Sequence, residues 1–303
     1  MYVENSASVA YSSNIQSAST IVAHKILPLF RREKPQVMRF GEHKLVYRVA
    51  GSGPALVLVH GLSGSGSWWR RNTPVLTKHF TVYSVDLVGY GSNRAFRPIR
   101  IPQAARYIGE FIGALPPGCA HLLGHSMGGQ IATHVAAEYP HRINRLVLAS
   151  ASGLVRADLL RMMLRLPSAG RYGRFDFMPT LAYDALRAGP LNLLLSALDL
   201  LSNDVTDSLA RIVSPTLLIW GEQDKLVPVA VGEAVNKALP SSRLEIIPHA
   251  GHVPMWDQPE QFNQLVLDFL LAAGQEPRTQ NLEPRDDENK EQENTEPKGN
   301  KDD

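Results

Sequence analysis

The sequence predicts an α/β domain built on a mostly parallel sheet, and three observations carry that prediction. Short apolar runs alternate with helix-period segments from Val37 to about Ala273. One run, Ala55–Val59, is unbroken, as expected of a strand covered by helices on both faces. The third is Gly124-His125-Ser126-Met127-Gly128, which separates the apolar run Ala120–Leu123 from a helix-period run through Ile131, Ala132, Val135 and Ala136. At 303 residues and 44% hydrophobic composition, the chain can bury a full core in one large domain or in a domain with an insertion.

Residues 1–36 are rich in Ser, Ala and Asn, with an apolar patch at Ile21–Phe30 interrupted by His24, Lys25 and Pro28. The patch is too short to span a bilayer. No positive residue precedes it, so it does not read as a secretory signal. We read this stretch as a partly ordered extension lying on the domain. The alternative is an amphipathic helix making peripheral membrane contact, with Arg31 and Arg32 at its edge.

From Val37 the pattern turns to strands. Val37–Phe40 and Lys44–Val49 flank Gly41-Glu42-His43, a short hairpin. Ala55–Val59, Thr81–Val85 ending at Asp86, Ala120–Leu123, Arg145–Leu148, Thr216–Trp220 and Leu244–Ile247 follow, and an amphipathic run Phe262–Leu271 closes the fold. Residues 37–152 and 213–273 thus form the core. Between them, residues 153–212 show no clear strand but short helical patterns broken by Pro167, Gly170, Gly173, Pro179, Gly189 and Pro190, with dense Leu and Met. That is too long for a structureless loop, so a helical lid over the top of the sheet is expected.

Residues 274–303 are polar and nearly free of apolar side chains, and are expected to be a disordered charged tail. They hold ten acidic and five basic residues, so the overall charge of +2 divides into −5 for the tail and +7 for the rest. Nothing in that balance calls for nucleic acid. The single cysteine, Cys119, rules out an internal disulfide and suits a reducing, cytoplasmic compartment. At the start of an apolar strand it reads as a small buried hydrophobe.

Gly-x-Ser-x-Gly between strand and helix is the context of a nucleophile elbow: a sharp turn that lifts the serine hydroxyl above the sheet. Gly124 and Gly128 leave room for a turn that a Cβ would obstruct. A serine hydroxyl needs a base to take its proton and a carboxylate to orient that base. The elbow therefore predicts an acid and then a histidine at later strand ends. Glu222 and Asp224 both follow the Thr216–Trp220 strand, and His249 and His252 both follow the last one. Local spacing favours Asp224 and His252. Oxyanion donors are also required. The Met127 amide, first in the helix, is one candidate; the Leu62 amide, in the glycine-rich turn His60-Gly61-Leu62-Ser63-Gly64-Ser65-Gly66-Ser67-Trp68-Trp69, is the other. A phosphate loop is disfavoured there, since no Gly-Lys-Ser/Thr follows. No metal or cofactor is called for.

Four blocks together resemble the α/β-hydrolase superfamily: His60-Gly61, Asp86-Leu87-Val88-Gly89-Tyr90-Gly91-Ser92, Gly124-His125-Ser126-Met127-Gly128-Gly129, and Gly251-His252-Val253-Pro254. The resemblance implies an eight-stranded, mostly parallel sheet with helices on both faces and a lid after strand six. It implies Ser126 as nucleophile, Asp224 as acid, His252 as base, and the Leu62 and Met127 amides as the oxyanion hole. The elbow carries Ser126 where related dehalogenases and epoxide hydrolases carry Asp, which disfavours those chemistries. Carbon–carbon-bond hydrolases of ring-cleavage pathways usually have Asn before the serine and Trp after the base; this chain has His125 and Val253. What remains resembles capped carboxylesterases and monoacylglycerol-type lipases.

The expectation is a serine hydrolase acting on a small-molecule carboxylic ester, with an apolar acyl or alcohol group suggested by the Met and Leu content of the lid. Ser63, Trp68, His125, Met162, Met163 and Val253 are the candidates for the substrate pocket. The alternatives are carbon–carbon bond hydrolysis and a non-catalytic ligand-binding protein on the same fold. Arg94, Arg97 and Arg100 read as a solvated loop.

Overall fold

The computed structural model describes residues 34–153, 175–239 and 241–272. The sequence expectations for residues 1–33, 154–174 and 273–303 lie outside the described residues.

Eight strands form one sheet: β1 (Gln36–Phe40), β2 (His43–Ala50), β3 (Ala55–Val59), β4 (Thr81–Asp86), β5 (Ala120–His125), β6 (Ile143–Ala149), β7 (Thr216–Gly221) and β8 (Ser242–Ile247). Their order is β1-β2-β4-β3-β5-β6-β7-β8. β1 and β2 pair antiparallel, as do β2 and β4; every later pairing is parallel. Gly41 takes φ +58 in the β1–β2 hairpin, a conformation that favours glycine.

Among the described residues, six helices longer than two turns accompany the sheet: α1 (Ile101–Ala114), α2 (Met127–Glu138), α3 (Met178–Ala188), α4 (Pro190–Ser202), α5 (Val229–Ala238) and α6 (Pro259–Leu271). The side-chain alternation of the central strands divides the core in two. On one face Val57, Val59, Leu122, Leu146, Leu148, Leu218 and Trp220 pack with Ile108 and Phe111 of α1, Ile131 and Val135 of α2, and Val235 of α5. On the other, Leu56, Leu58, Leu123, Val147, Leu217 and Ile219 meet Trp69, Leu76, and Phe262, Val266 and Phe269 of α6. This double covering is why β3 and β7 carry no exposed residue.

Strands run a residue or two beyond their apolar runs where ladder bonds continue: β5 takes in Gly124 and His125, and β8 starts at Ser242. Cys119 departs from expectation: it lies just ahead of β5 and is only half-buried. Between β6 and β7 the described residues are helical, with α3, α4 and a one-turn helix at Thr206–Leu209. Asp199 of α4 accepts from the Ile101 N–H at 2.6 Å, capping the start of α1, whose own N-cap Arg100 supplies no side-chain bond. Arg94, Arg97 and Arg100 are exposed. Among the described residues no helix is long and apolar enough to cross a membrane, and no group of three His, Cys, Asp or Glu is arranged to hold a metal ion.

Candidate active site

In the parallel part of the sheet, loops after the carboxyl ends of neighbouring strands share one rim. Ser126 follows β5, Asp224 follows β7, and His252 lies in the loop after β8. The glycine-rich turn leaves β3, which neighbours β5. The sheet order alone therefore brings together residues nearly two hundred positions apart.

Ser126 sits at φ 52, ψ −118, strained backbone for a residue with a Cβ. Its surroundings hold it there. Its N–H donates to Ala149 O at 3.0 Å, and its carbonyl accepts from Gly129, Gln130 and Ser152. Close packing leaves no room for side chains beside it. A Cβ on Gly124 would lie 2.3 Å from Gly128 O, and one on Gly128 would lie 2.4 Å from Val59 O.

Ser126 Oγ lies 3.0 Å from His252 Nε2, and His252 Nδ1 lies 2.9 Å from Asp224 Oδ2. A carboxylate only accepts, so Nδ1 carries the hydrogen and Nε2 faces the hydroxyl with its lone pair. The other Asp224 oxygen accepts from the Leu226 and Val227 N–H groups, both at 2.9 Å. Burial alone raises the Asp224 pKa. The charge and hydrogen bond of His252, the Val227 amide and the Ser150 side chain together outweigh it, so the carboxyl stays below its ordinary range. Ser150 follows β6 at φ 44, and its effect on Asp224 is the smallest of these.

The rivals for acid and base pair with each other instead. Glu222 accepts from the His249 N–H at 3.2 Å, both residues are exposed, and neither is hydrogen-bonded to Ser126. Of the candidates in the two loops, His252 meets the serine and Asp224 meets His252, the pair that local spacing favours.

Leu62 is half-buried and Met127 buried. Among the described residues no protein acceptor takes either backbone N–H. The turn carrying Leu62 is heavily braced. His60 is fully buried, with Nδ1–H donating to Gly61 O at 2.7 Å and Nε2 accepting from Leu87 N–H at 3.1 Å. Burial lowers its pKa against the opposing pull of the Gly61 bond and of Asp86 and Asp184, which suits the neutral ring that this bonding requires. Asp86 accepts from Gly66 N–H at 2.7 Å and Ser92 N–H at 2.8 Å, and pairs with Arg48 at 3.3 Å. Gly91, at φ +52, is where a Cβ would meet this carboxyl.

The other expected pocket residues divide. His125 is buried, and its Nε2–H donates to the His252 carbonyl at 2.8 Å, so the residue before the serine supports the backbone of the base. Burial, then the charge of His252, pushes its pKa down to about 3, so it is neutral. Ser63 is buried at φ 65, and Val253 is half-buried against the core. Trp68 is 3% exposed and packs edge-on against Phe177, with Nε1–H donating to Asp184 Oδ2 at 3.1 Å. Met162 and Met163 lie outside the described residues. A cavity beside Met127 has mostly different walls: Leu87, Val88, Tyr90, Ile99, Ile101, Ala104, Ile131, Ser196 and Asp199, of which none was expected at the site.

Asp184 was missed from the sequence. Its signal was faint: one carboxylate on the face of α3 that also carries Leu181 and Ala188, just after Phe177, all wholly or partly buried.

These loops on this sheet can be set beside known proteins. The chain is 30% identical over 254 residues to a 2-hydroxy-6-oxo-6-phenylhexa-2,4-dienoate hydrolase of Burkholderia cepacia, covering 73% of this chain and 89% of that one. It is 28% identical over 249 residues to a pimeloyl-[acyl-carrier protein] methyl ester esterase of Aeromonas hydrophila, covering 73% and 96%. The crystal structure of a putative lipase from Acinetobacter baumannii AYE superposes with a TM-score of 0.66 at 26% identity, covering 78% of this chain and 91% of that one. The model of the alpha/beta hydrolase family matches residues 56–265, and the chain belongs to that family.

Proposed function

We propose that the protein is a serine hydrolase that cleaves a carboxylic ester through an acyl-enzyme. One observation carries the reading: a strained Ser126 whose Oγ is 3.0 Å from His252 Nε2, with Asp224 2.9 Å from the ring's other nitrogen. His252 Nε2 takes the Ser126 proton as Oγ attacks the ester carbonyl, and Asp224 stabilises the imidazolium that forms. The Leu62 and Met127 N–H groups, which no acceptor takes among the described residues, receive the developing oxyanion. Collapse expels the alcohol with the proton from His252. Water, deprotonated by His252, then releases the acid.

An apolar acyl or alcohol group is the substrate we favour. The mainly aliphatic walls of the cavity beside Met127, which also carry Tyr90, Ser196 and Asp199, support it, as does the similarity to a methyl ester esterase. The helices at residues 175–212 serve as the lid in this reading. The single cysteine supports a cytoplasmic location, and the residual charge of +2 gives nucleic acid no claim.

The relative at 30% identity favours a second reading, carbon–carbon bond hydrolysis. His125 before the serine and Val253 after the base weigh for the ester. The test is hydrolysis of p-nitrophenyl esters of graded chain length, alongside labelling of Ser126 by a fluorophosphonate and turnover of a ring-cleavage dienoate. Ester turnover with labelling is expected. No hydrolysis and no labelling sinks the serine reading; dienoate turnover exceeding that of every ester moves the function to carbon–carbon cleavage.

A further inference from the structure

Asp184 lies outside the triad, on α3, a helix that enters the chain only after β6. It is a carboxylate 5% exposed, and its Oδ2 accepts from two groups of the glycine-rich turn: Ser65 Oγ–H at 2.9 Å and Trp68 Nε1–H at 3.1 Å. Removing a carboxylate from water is costly, and two aimed donors offset part of that cost.

Those two donors hold the turn at a particular place. Ser65 is the N-cap of the short 3-10 turn Gly66–Trp69, and its Oγ also lies 2.8 Å from Ser67 Oγ and accepts from Ser67 N–H. Asp86 grips the same turn from the sheet side through Gly66 N–H. Two carboxylates therefore clamp residues 65–68, one rooted in β4 and one in α3. Upstream of the clamp the chain has little freedom. Ser63 is at φ 65, and Cβ atoms on Gly61 and Gly64 would meet His125 and Trp68 at 2.9 Å. A shift at Ser65 is passed back through Gly64 and Ser63 to Leu62.

We infer that Asp184 is a positioning residue for the oxyanion donor: its bonds to Ser65 and Trp68 hold the glycine-rich turn so that the Leu62 N–H faces the reacting carbonyl oxygen. The inference rests on the proposed ester hydrolysis and adds that α3 takes part in the acyl-transfer site. An oxyanion donor is strongest toward a charge that develops only in the transition state. Loss of its alignment therefore lowers kcat and kcat/KM together and leaves KM nearly alone.

The test compares Asp184→Ala, Asp184→Asn, Ser65→Ala and Trp68→Phe in the full chain. Each is assayed for kcat and KM on a p-nitrophenyl ester, and active sites are counted by the endpoint of fluorophosphonate labelling. Asp184→Ala is expected to lower kcat about 10- to 100-fold, short of the roughly 10²–10³ that follows outright loss of a donor. KM and the labelling endpoint should hold. Asp184→Asn keeps an acceptor oxygen and should recover most of the rate. Ser65→Ala and Trp68→Phe should each fall partway, and neither should add to Asp184→Ala. An unchanged kcat at full labelling overturns the inference, and so does a kcat that falls only in proportion to the number of sites labelled. Should Asp184→Ala fail to fold, unchanged kcat in both Ser65→Ala and Trp68→Phe overturns it equally. A wild-type protein that is neither labelled nor active takes down the serine reading itself, a result distinguishable from any of these.

Discussion

β7 and α4 are both written in apolar letters, yet the molecule uses them in opposite ways. All six residues of Thr216–Gly221 are buried. Of the thirteen residues of Pro190–Ser202, only Ser196 and Leu200 are buried, while Leu191, Leu194, Leu195 and Leu198 are exposed. β7 lies between two strands with helices above and below, so both of its faces are covered. α4 packs on the sheet domain through one face only. Eight of the twelve large apolar side chains exposed among the described residues lie between Phe175 and Leu198. Hydrophobic density thus marks two different things here: a core in the sheet, and between β6 and β7 a surface that is apolar without being core.

The sharpest way to break the comparison is at the proposed triad, whose three residues all follow strands of the sheet. Asp224→Asn keeps the shape of the side chain and removes the charge opposite His252 Nδ1, and should lower kcat by roughly four powers of ten. Glu222→Gln changes an exposed carboxylate bonded only to the His249 backbone and should leave kcat within about threefold, since surface changes remote from such features do little. Ester kinetics on both variants decides it. A large loss in Glu222→Gln, with little in Asp224→Asn, would move the acid to the other loop residue.

Two glycines make the next comparison. A Cβ on Gly124 would stand 2.3 Å from Gly128 O in packed backbone, whereas Gly189, between α3 and α4, meets nothing within 4 Å. Gly124→Ala forces β5 and α2 apart and should cost about 3 kcal/mol or more, in the range of overpacked cores. Gly189→Ala suffers only the strain of φ +80, about 1–2 kcal/mol. Denaturant midpoints of the two variants report the difference, and equal losses would erase it.

Leu218, fully buried in β7, extends the contrast to the core. Leu218→Ala should lose about 2–5 kcal/mol by leaving a cavity that the two helical layers cannot close.

The sheet was legible in the sequence because its signals are local: apolar runs bounded by turns, and a serine between two glycines. What remained open depended on pairs distant in sequence. Asp224 and Glu222 are two residues apart, and local spacing separates them only modestly; the clear distinction is that Glu222 meets the His249 backbone while Asp224 meets the His252 ring. Asp184 was less legible still. An Asp within Met178–Ala188 looks like any solvated helix residue until the helix is laid against Trp68 and Ser65. Trp68, expected at the pocket, is buried with its indole N–H on Asp184, and an indole N–H reveals its partner only in three dimensions. The burial of α4 was equally hidden, because its leucines run around the helix rather than along one stripe.

Acid sensitivity gives a smaller test of the sheet side. Burial, then the neighbouring Arg145, lowers the His121 pKa from 6.5 to about 4. The unfolded chain therefore binds a proton below pH 6.5 that the folded one refuses until about pH 4. Its contribution to stability is complete above pH 6.5 and erodes by about 1.4 kcal/mol per pH unit as the pH falls through that window. His125, at about 3, acts in the same direction over a longer range. The lowered carboxyls of Asp86 and Asp224 add theirs at lower pH, where protonation costs the folded state its bonds. His121→Phe, placed against Phe80, should flatten the loss between pH 6.5 and 4 without touching the triad. A pH–stability curve parallel to that of the wild type would show that His121 titrates freely.

The smallest expected effect says most about the region between β6 and β7. Leu194 and Leu198 are 55% and 48% exposed, one turn apart on the outer side of α4. If that side is surface, Leu194→Gln and Leu198→Gln change no buried contact and should each shift stability by no more than about 0.5 kcal/mol. Had the same leucines been core, each would cost several times as much, as Leu218→Ala should. A loss of 2 kcal/mol or more in either glutamine variant would mean that the outer face of α4 is covered in the folded protein, and the contrast with β7 would collapse. A loss near zero leaves α4 as a helix whose inner face, through Asp199 and Leu200, ties it to the sheet domain while its outer face remains apolar and open.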